Sequence, residues 1–134
     1  MSVVLKGGRV IDRTGERMLD VEVGDDGRIA AVGTGLSGEV ELDASGCVVS
    51  PGFVDLHAHL REPGQEEAET IETGARGGSL GGYTALVAMP NTDPTTDCVA
   101  VVDQVRNLGR RTTCEVIPSA AMTVGRDGGD MAPM

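Results

Sequence analysis

The sequence contains almost no aromatic residues: of its 134 residues one is Phe, one is Tyr and none is Trp. Any hydrophobic core must therefore be built from aliphatic side chains, which bury less area per residue than aromatic rings do. The sequence also has no apolar run approaching the roughly 18 residues of a membrane-spanning helix, and no basic and apolar leader. We therefore expect a cytoplasmic protein that does not enter a membrane.

Basic residues are scarce. Eleven Lys and Arg face 21 Asp and Glu, for a net charge of −10, and Lys6 is the only lysine. This charge balance excludes a general binder of nucleic acid, which would need a positive surface to contact phosphates. A high-salt habitat and genome composition both explain the acidic surface, and the sequence does not separate them.

The cysteines are few and unpaired. Cys47, Cys98 and Cys114 are odd in number and widely separated, with no C-x-x-C motif. This spacing argues against a disulfide framework and against a structural zinc site. We expect them to be small buried hydrophobic residues.

Short apolar runs alternate with turn residues in the first 50 positions. Gly7-Gly8 and Asp26-Gly27 are typical turn signals, and the second lies between Val23 and Ile29 in a candidate hairpin. The pattern predicts strands at residues 3–5, 10–11, 19–23, 29–32 and 47–49.

After Pro51 the pattern changes to alternating strands and helices. Such alternation favours a parallel sheet. We expect the second helix to follow Pro94, with Thr95 or Thr96 as its N-cap and Gly109 as its end. The predicted elements are strands at 53–60, 84–89 and 114–117 and helices at about 67–80 and from 94 to 109.

Three strands and two helices are few for a closed α/β barrel, which needs eight such units and typically about 250 residues. Residues 125–134 form a polar, glycine-rich tail in which we expect no further element. The sequence is therefore either a small open α/β domain or the front part of a longer chain.

The two histidines of the sequence are His57 and His59, at the end of the first predicted strand of this region. Alternate residues of a strand share a face, so Asp55, both histidines and Arg61 should project together. Two imidazoles on one face can bind one metal ion, commonly zinc, although an ordinary pair of strand histidines has the same spacing.

A second polar group follows the next predicted strand, in the sequence Met-Pro-Asn-Thr at residues 89–92. If the strands are neighbours, Asn91 and Arg61 lie at the same rim. An arginine with an amide is a suitable clamp for a carboxylate, whereas the tetrapeptide alone is also typical of a simple turn.

Residues 51–64 read PGFVDLHAHLREPG, which resembles the signature of the amidohydrolase superfamily. The Arg-Glu-Pro-Gly that follows the histidines, residues 69–74 and residues 89–92 narrow the resemblance to the dihydroorotase family. The resemblance covers essentially the whole chain.

The resemblance implies a role for each site residue. His57 and His59 would bind one zinc of a one- or two-zinc site, and Asp55 would orient a histidine. Arg61 and Asn91 would hold the substrate carboxylate. The implied reaction is the reversible hydrolysis of the cyclic amide of dihydroorotate to N-carbamoyl-L-aspartate in pyrimidine biosynthesis, with water activated at the metal.

The resemblance also implies the fold. Residues 1–50 would be the amino-terminal β segment of a small sandwich domain. Residues 51–134 would be the first three strands and two helices of an incomplete TIM-type (β/α)8 barrel. The sequence has no third histidine and no assignable acid or base, so we expect an amino-terminal part that is inactive alone. We also expect it to fold poorly alone, because the third strand has no further strand to pair with.

Two alternatives stay open. Allantoinase and dihydropyrimidinase share the superfamily signature, but do not need the same carboxylate clamp. A non-catalytic dihydroorotase-like subunit would support a partner such as aspartate transcarbamoylase. The expected partner is a small-molecule substrate, with a homo-oligomer or a complex with aspartate transcarbamoylase as further assemblies.

Overall fold

The computed structural model describes residues 1–134 and divides them into two compact units, Met1–Pro51 and Gly52–Met134. Each unit has a β-sheet of its own. Neither unit contains a helix long and apolar enough to span a membrane.

The first unit is a five-stranded mixed sheet. The strands are β1 (Val3–Asp12), β2 (Gly15–Val23), β3 (Ile29–Gly33), β4 (Val40–Asp43) and β5 (Val48–Val49). Strand order is β3-β2-β1-β4, and β5 pairs with a later part of β1 than β4 does. The first three strands are antiparallel, whereas β4 and β5 run parallel to β1.

One predicted turn in this unit is wrong. Gly7-Gly8 lies inside β1, where the pairing with β2 shifts register and Gly7 takes a φ of +66°. Glycine there produces a β-bulge instead of a chain reversal. The hairpin at Asp26-Gly27 is confirmed, with the N–H of Gly24 donating to the carbonyl of Arg28 at 2.8 Å.

A buried carboxylate organises the bulge. Asp20 is 7% exposed and accepts hydrogen bonds from the N–H of Gly7 (2.8 Å), the Lys6 ammonium (3.1 Å) and the N–H of Leu36 (3.1 Å). The Gly7 amide first, and then Lys6, hold the pKa of Asp20 below its usual value of 3.8. One side chain thus connects β2 to β1 and to the loop after β3.

The second unit is a three-stranded parallel sheet with two helices. The elements are β6 (Phe53–Ala58), α1 (Ile71–Leu80), β7 (Tyr83–Ala88), α2 (Val99–Gly109) and β8 (Glu115–Pro118). The strands pair in parallel in the order β6-β7-β8, which confirms the predicted parallel sheet. A short 3-10 turn, Val124–Arg126, lies in the tail where we expected no element.

The predicted start of α2 is wrong. Its N-cap is Cys98, whose side chain makes no capping bond, and not Thr95 or Thr96. Thr96 is instead 2% exposed, and its hydroxyl lies 2.9 Å from that of Thr92. The threonine is used to fix the loop after β7, so the helix begins later than the sequence suggested.

The start of α1 also differs from the prediction. The helix begins at Ile71 and not near residue 67, because Thr70 forms a capping box in which its hydroxyl accepts from the N–H of Thr73. Two glycines, Gly77 and Gly78, lie inside the helix.

The core of this unit lies between the sheet and the helices. Ile71 and Ala75 of α1 and Val105 of α2 are its most buried helical side chains. The other members of the cluster are Ala58, Leu60, Leu86, Ala88, Cys114 and Val116, with Leu108 packed against it.

The cysteines have different environments. Cys114 is buried in this core as predicted, and Cys98 is half-buried. Cys47 is exposed, so the prediction of a buried side chain is wrong for that residue. It lies just before the two-residue strand β5, whose first residue, Val48, is also exposed.

Candidate active site

The two histidines lie together at the carboxyl end of β6. Ala58 and Leu60 point into the core beside the helices, so His57 and His59 lie on the opposite, exposed face. Their ring centroids are 5.1 Å apart, with the ring planes at 65°. The alternation of the strand thus brings both imidazoles to one site.

Asp55 contacts the backbone of this segment. Its carboxylate accepts the N–H of His57 at 2.9 Å. The carboxylate therefore fixes the backbone that carries the histidine and makes no hydrogen bond to either imidazole ring.

Asn91 joins the site from the neighbouring strand. The end of β7 is held beside the end of β6 by the N–H of Met89, which donates to the carbonyl of Ala58 at 2.9 Å. Two residues later, the side-chain oxygen of Asn91 lies 2.8 Å from Nδ1 of His59. The structure therefore brings Asn91 directly onto one of the predicted metal ligands.

Arg61 does not continue the strand face, contrary to the prediction. Regular pairing ends at Ala58, and the N–H of Glu62 donates to the carbonyl of Leu60 at 2.7 Å, so the chain reverses at Arg61 with a φ of 63°. Positive φ is unfavourable for a residue with a side chain and is often found at functional sites. None of the six ion pairs of the chain involves Arg61.

Glu62 ties this turn to the first helix. Its carboxylate accepts the N–H of Ile71, the first residue of α1, at 2.7 Å. That N–H is one of the helix donors without an intrahelical partner, and a negative charge there is favoured by the helix dipole. The sequence pattern indicated no role for Glu62. The only available signal was its position in the sequence, nine residues before the first residue of α1.

Gly64 allows the loops after β6 and β7 to touch. The N–H of Asp93 donates to the carbonyl of Pro63 at 3.0 Å. A Cβ on Gly64, whose φ is +101°, would lie 2.1 Å from the carbonyl oxygen of Asp93. Only glycine fits this contact. Gly64 ends the Arg-Glu-Pro-Gly motif, but the sequence pattern did not indicate this role.

The same loop carries a perturbed carboxyl group. Glu66 accepts the N–H of Gly64 at 2.9 Å, and this bond holds the pKa of Glu66 below its usual value of 4.5. The carboxylate remains charged at neutral pH and closes the loop on itself.

The loop after β8 contacts the loop after β7. The N–H of Ala121 donates to the carbonyl of Thr96 at 2.8 Å, and the N–H of Gly125 donates to the carboxylate of Asp97 at 2.7 Å. Loops after all three parallel strands are thus connected at the edge where α/β proteins place their sites.

The donor set fits part of a zinc site. Imidazole nitrogens are common zinc ligands, and His57 and His59 are close enough to converge on one ion. The chain contains no group of three or more His, Cys, Asp or Glu side chains arranged to hold a metal. A catalytic zinc usually has three protein ligands, so at least one more would have to come from outside these residues.

Residues 46–134 match the model of a family described as dihydro-orotase-like. The chain is 43% identical over 135 residues to a dihydroorotase of Bacillus subtilis, covering 98% of this chain and 31% of that protein. It is 48% identical over 139 residues to a dihydroorotase of Mycobacterium tuberculosis, covering 100% and 31%. The chain thus spans about a third of the length of these curated relatives.

Solved structures show the same fold. An L-hydantoinase (dihydropyrimidinase) from Arthrobacter aurescens matches with a TM-score of 0.76 at 24% identity, covering 90% of this chain and 28% of that one. A dihydroorotase matches with a TM-score of 0.65 at 20% identity, covering 92% and 32%. At this identity, the likeness concerns the fold alone, which contains both helices and strands.

Proposed function

The chain belongs to the dihydroorotase-like family, and from this premise we propose that the full-length protein is a zinc-dependent dihydroorotase. It would catalyse the reversible hydrolysis of the cyclic amide of (S)-dihydroorotate to N-carbamoyl-L-aspartate in pyrimidine biosynthesis. The observation that carries the proposal is the meeting of His57, His59 and Asn91 at the carboxyl ends of β6 and β7, with Arg61 in the turn that follows β6.

In this proposal, His57 and His59 bind zinc. The complete site holds one or two zinc ions, and their other ligands come from the rest of the protein. When bound, zinc lowers the pKa of a water molecule and polarises the amide carbonyl. Asp55 keeps the backbone of His57 in place through its 2.9 Å hydrogen bond. No general base is assigned within these residues.

Arg61 and Asn91 would bind the substrate carboxylate. The Arg61 guanidinium has no acidic partner in the chain, which leaves its fork of donors available for a carboxylate. The NH2 group of Asn91 has no hydrogen-bond partner either, because only its oxygen is used by His59. Together they would hold the substrate ring in one orientation by its carboxylate.

The fold proposal follows from the strand order. We assign residues 51–134 to the first three strands and two helices of a TIM-type (β/α)8 barrel, supported by β6, β7 and β8 being parallel and in sequence order. We assign residues 1–50 to a β segment of a small sandwich domain. The barrel assignment puts the site at the carboxyl ends of the strands, as in other barrel enzymes.

A substrate pair tests the proposed reaction. Dihydroorotate and dihydrouracil share the ring amide and differ in the carboxylate that Arg61 and Asn91 would bind. The zinc-loaded full-length protein should hydrolyse dihydroorotate with a kcat/KM at least about tenfold higher, equivalent to about 1.4 kcal/mol. Equal or faster hydrolysis of dihydrouracil would contradict the clamp and favour a dihydropyrimidinase, and hydrolysis of neither would favour a non-catalytic subunit.

A further inference from the structure

The hydrogen bond between His59 and Asn91 defines the state of the imidazole. Nδ1 of His59 lies 2.8 Å from Oδ1 of Asn91. A carbonyl oxygen only accepts hydrogen bonds, so Nδ1 must carry the hydrogen. In a neutral imidazole, the second nitrogen, Nε2, then keeps its lone pair and is the one available to a metal.

The backbone of both residues is held firmly around this bond. On the His59 side, the carbonyl of the preceding Ala58 accepts the N–H of Met89 at 2.9 Å. On the Asn91 side, the carbonyl of Pro90 accepts the N–H of Thr96, a residue that is 2% exposed. The amide therefore reaches His59 from a loop anchored in the interior of the unit.

We infer that Asn91 is a positioning residue for the metal ligand His59 as well as a contact for the substrate. Its oxygen fixes the tautomer and the ring orientation of His59, while its NH2 group donates to the substrate carboxylate. The inference rests on the proposed function, in which His59 binds zinc. Partners of this kind typically change metal affinity about 10- to 100-fold when removed.

Two substitutions at one position separate the two roles. Asn91→Leu has a similar size but neither polar group, so it should weaken zinc binding about 10- to 100-fold and raise KM. Asn91→Asp keeps an acceptor for Nδ1 and loses the donor, so it should retain zinc affinity within about threefold, or bind zinc more tightly, and still raise KM at least about tenfold. Arg61→Ala is the matched control: KM should rise with zinc affinity unchanged.

Zinc affinity is measured by titrating the metal-free full-length proteins against a competing chelator, without substrate. Nitrogen-15 NMR of histidine-labelled metal-free wild-type protein, with His59→Gln to assign the signals, gives a second readout that needs no variant at Asn91. We expect hydrogen on Nδ1 of His59.

Three results overturn the inference: wild-type zinc affinity in Asn91→Leu, equal loss of affinity in Asn91→Asp and Asn91→Leu, or hydrogen on Nε2 and not on Nδ1 of His59 in the metal-free protein. Absence of zinc binding to the wild-type protein overturns both the inference and the proposed function. The expected affinities without hydrolysis of dihydroorotate would refute only the proposed reaction.

Discussion

Replacing Gly64 by alanine should damage the site without changing any residue that we propose to bind metal or substrate. The new Cβ would lie 2.1 Å from the carbonyl oxygen of Asp93, whereas ordinary contact begins at 3.4 Å. The loops that carry Arg61 and Asn91 would therefore have to separate by about 1.3 Å.

Two physical effects set the size of the loss in stability. A φ of +101° costs alanine about 1–2 kcal/mol, and overpacking of a tight contact costs about 1–3 kcal/mol. We expect the free energy of unfolding to fall by about 2–5 kcal/mol. A displacement of about 1 Å between binding groups can lower kcat/KM about 100-fold.

Gly128→Ala is the matched control in the same unit. Gly128 has a φ of +82°, but a Cβ at this position would meet no atom within 4 Å, so only the conformational cost of about 1–2 kcal/mol applies. Urea unfolding and dihydroorotate hydrolysis by the full-length variants give both quantities. Equal effects of the two substitutions, or normal kcat/KM in Gly64→Ala, would refute the proposed contact between the loops.

Three further changes test other parts of the account. Arg61→Ala should raise KM for dihydroorotate with zinc content unchanged; a change in kcat/KM below about tenfold would remove Arg61 from the clamp. Glu62→Ala should lower the free energy of unfolding by about 1–2 kcal/mol in urea, because the first N–H of α1 loses its acceptor, while Glu62→Gln should lose less. Because folding lowers the pKa of Asp20, its charged form stabilises the fold at pH values above the ordinary pKa of 3.8. This contribution to stability is lost as the pH falls below that value. Melting temperatures measured between about pH 6 and pH 3 should therefore fall less steeply for Asp20→Asn than for the wild-type protein, and parallel curves would contradict this role.

The elements of the second unit are predictable where local pattern and tertiary packing agree. The predicted strands at 84–89 and 114–117 fall within one residue of β7 and β8, because continuous apolar runs between polar loops have few alternatives. Thr96 shows where such reasoning fails. Threonine is a favoured residue at the N-cap of a helix. Here, however, the hydroxyl of Thr96 forms a hydrogen bond with that of Thr92 inside the loop.

The first unit shows a different limit. β4 (Val40–Asp43) alternates apolar and polar residues over only four positions, and in the structure Val40 is half-buried while the other three are exposed. It forms because β1 offers it a parallel edge, which depends on residues far away in the sequence. Gly7-Gly8 likewise looks like a turn locally and becomes a bulge only because β2 and Asp20 hold β1 in place.

The candidate site was also predictable from the sequence only in part. Strand alternation was enough to predict that His57 and His59 share a face, since that depends on neighbouring residues alone. The turn at Arg61 and the contact between Asn91 and His59 depend on how two loops meet. Spacing along one strand contains no information about such contacts.

The most direct test of the account is an anomalous diffraction map, recorded at the zinc edge, from crystals of the zinc-loaded full-length protein. We predict a zinc peak about 2.0–2.1 Å from an imidazole nitrogen of both His57 and His59, with Nε2 as the donor of His59. Zinc bound elsewhere, or in contact with only one of these histidines, would contradict the assignment of the pair as the metal-binding core of the site.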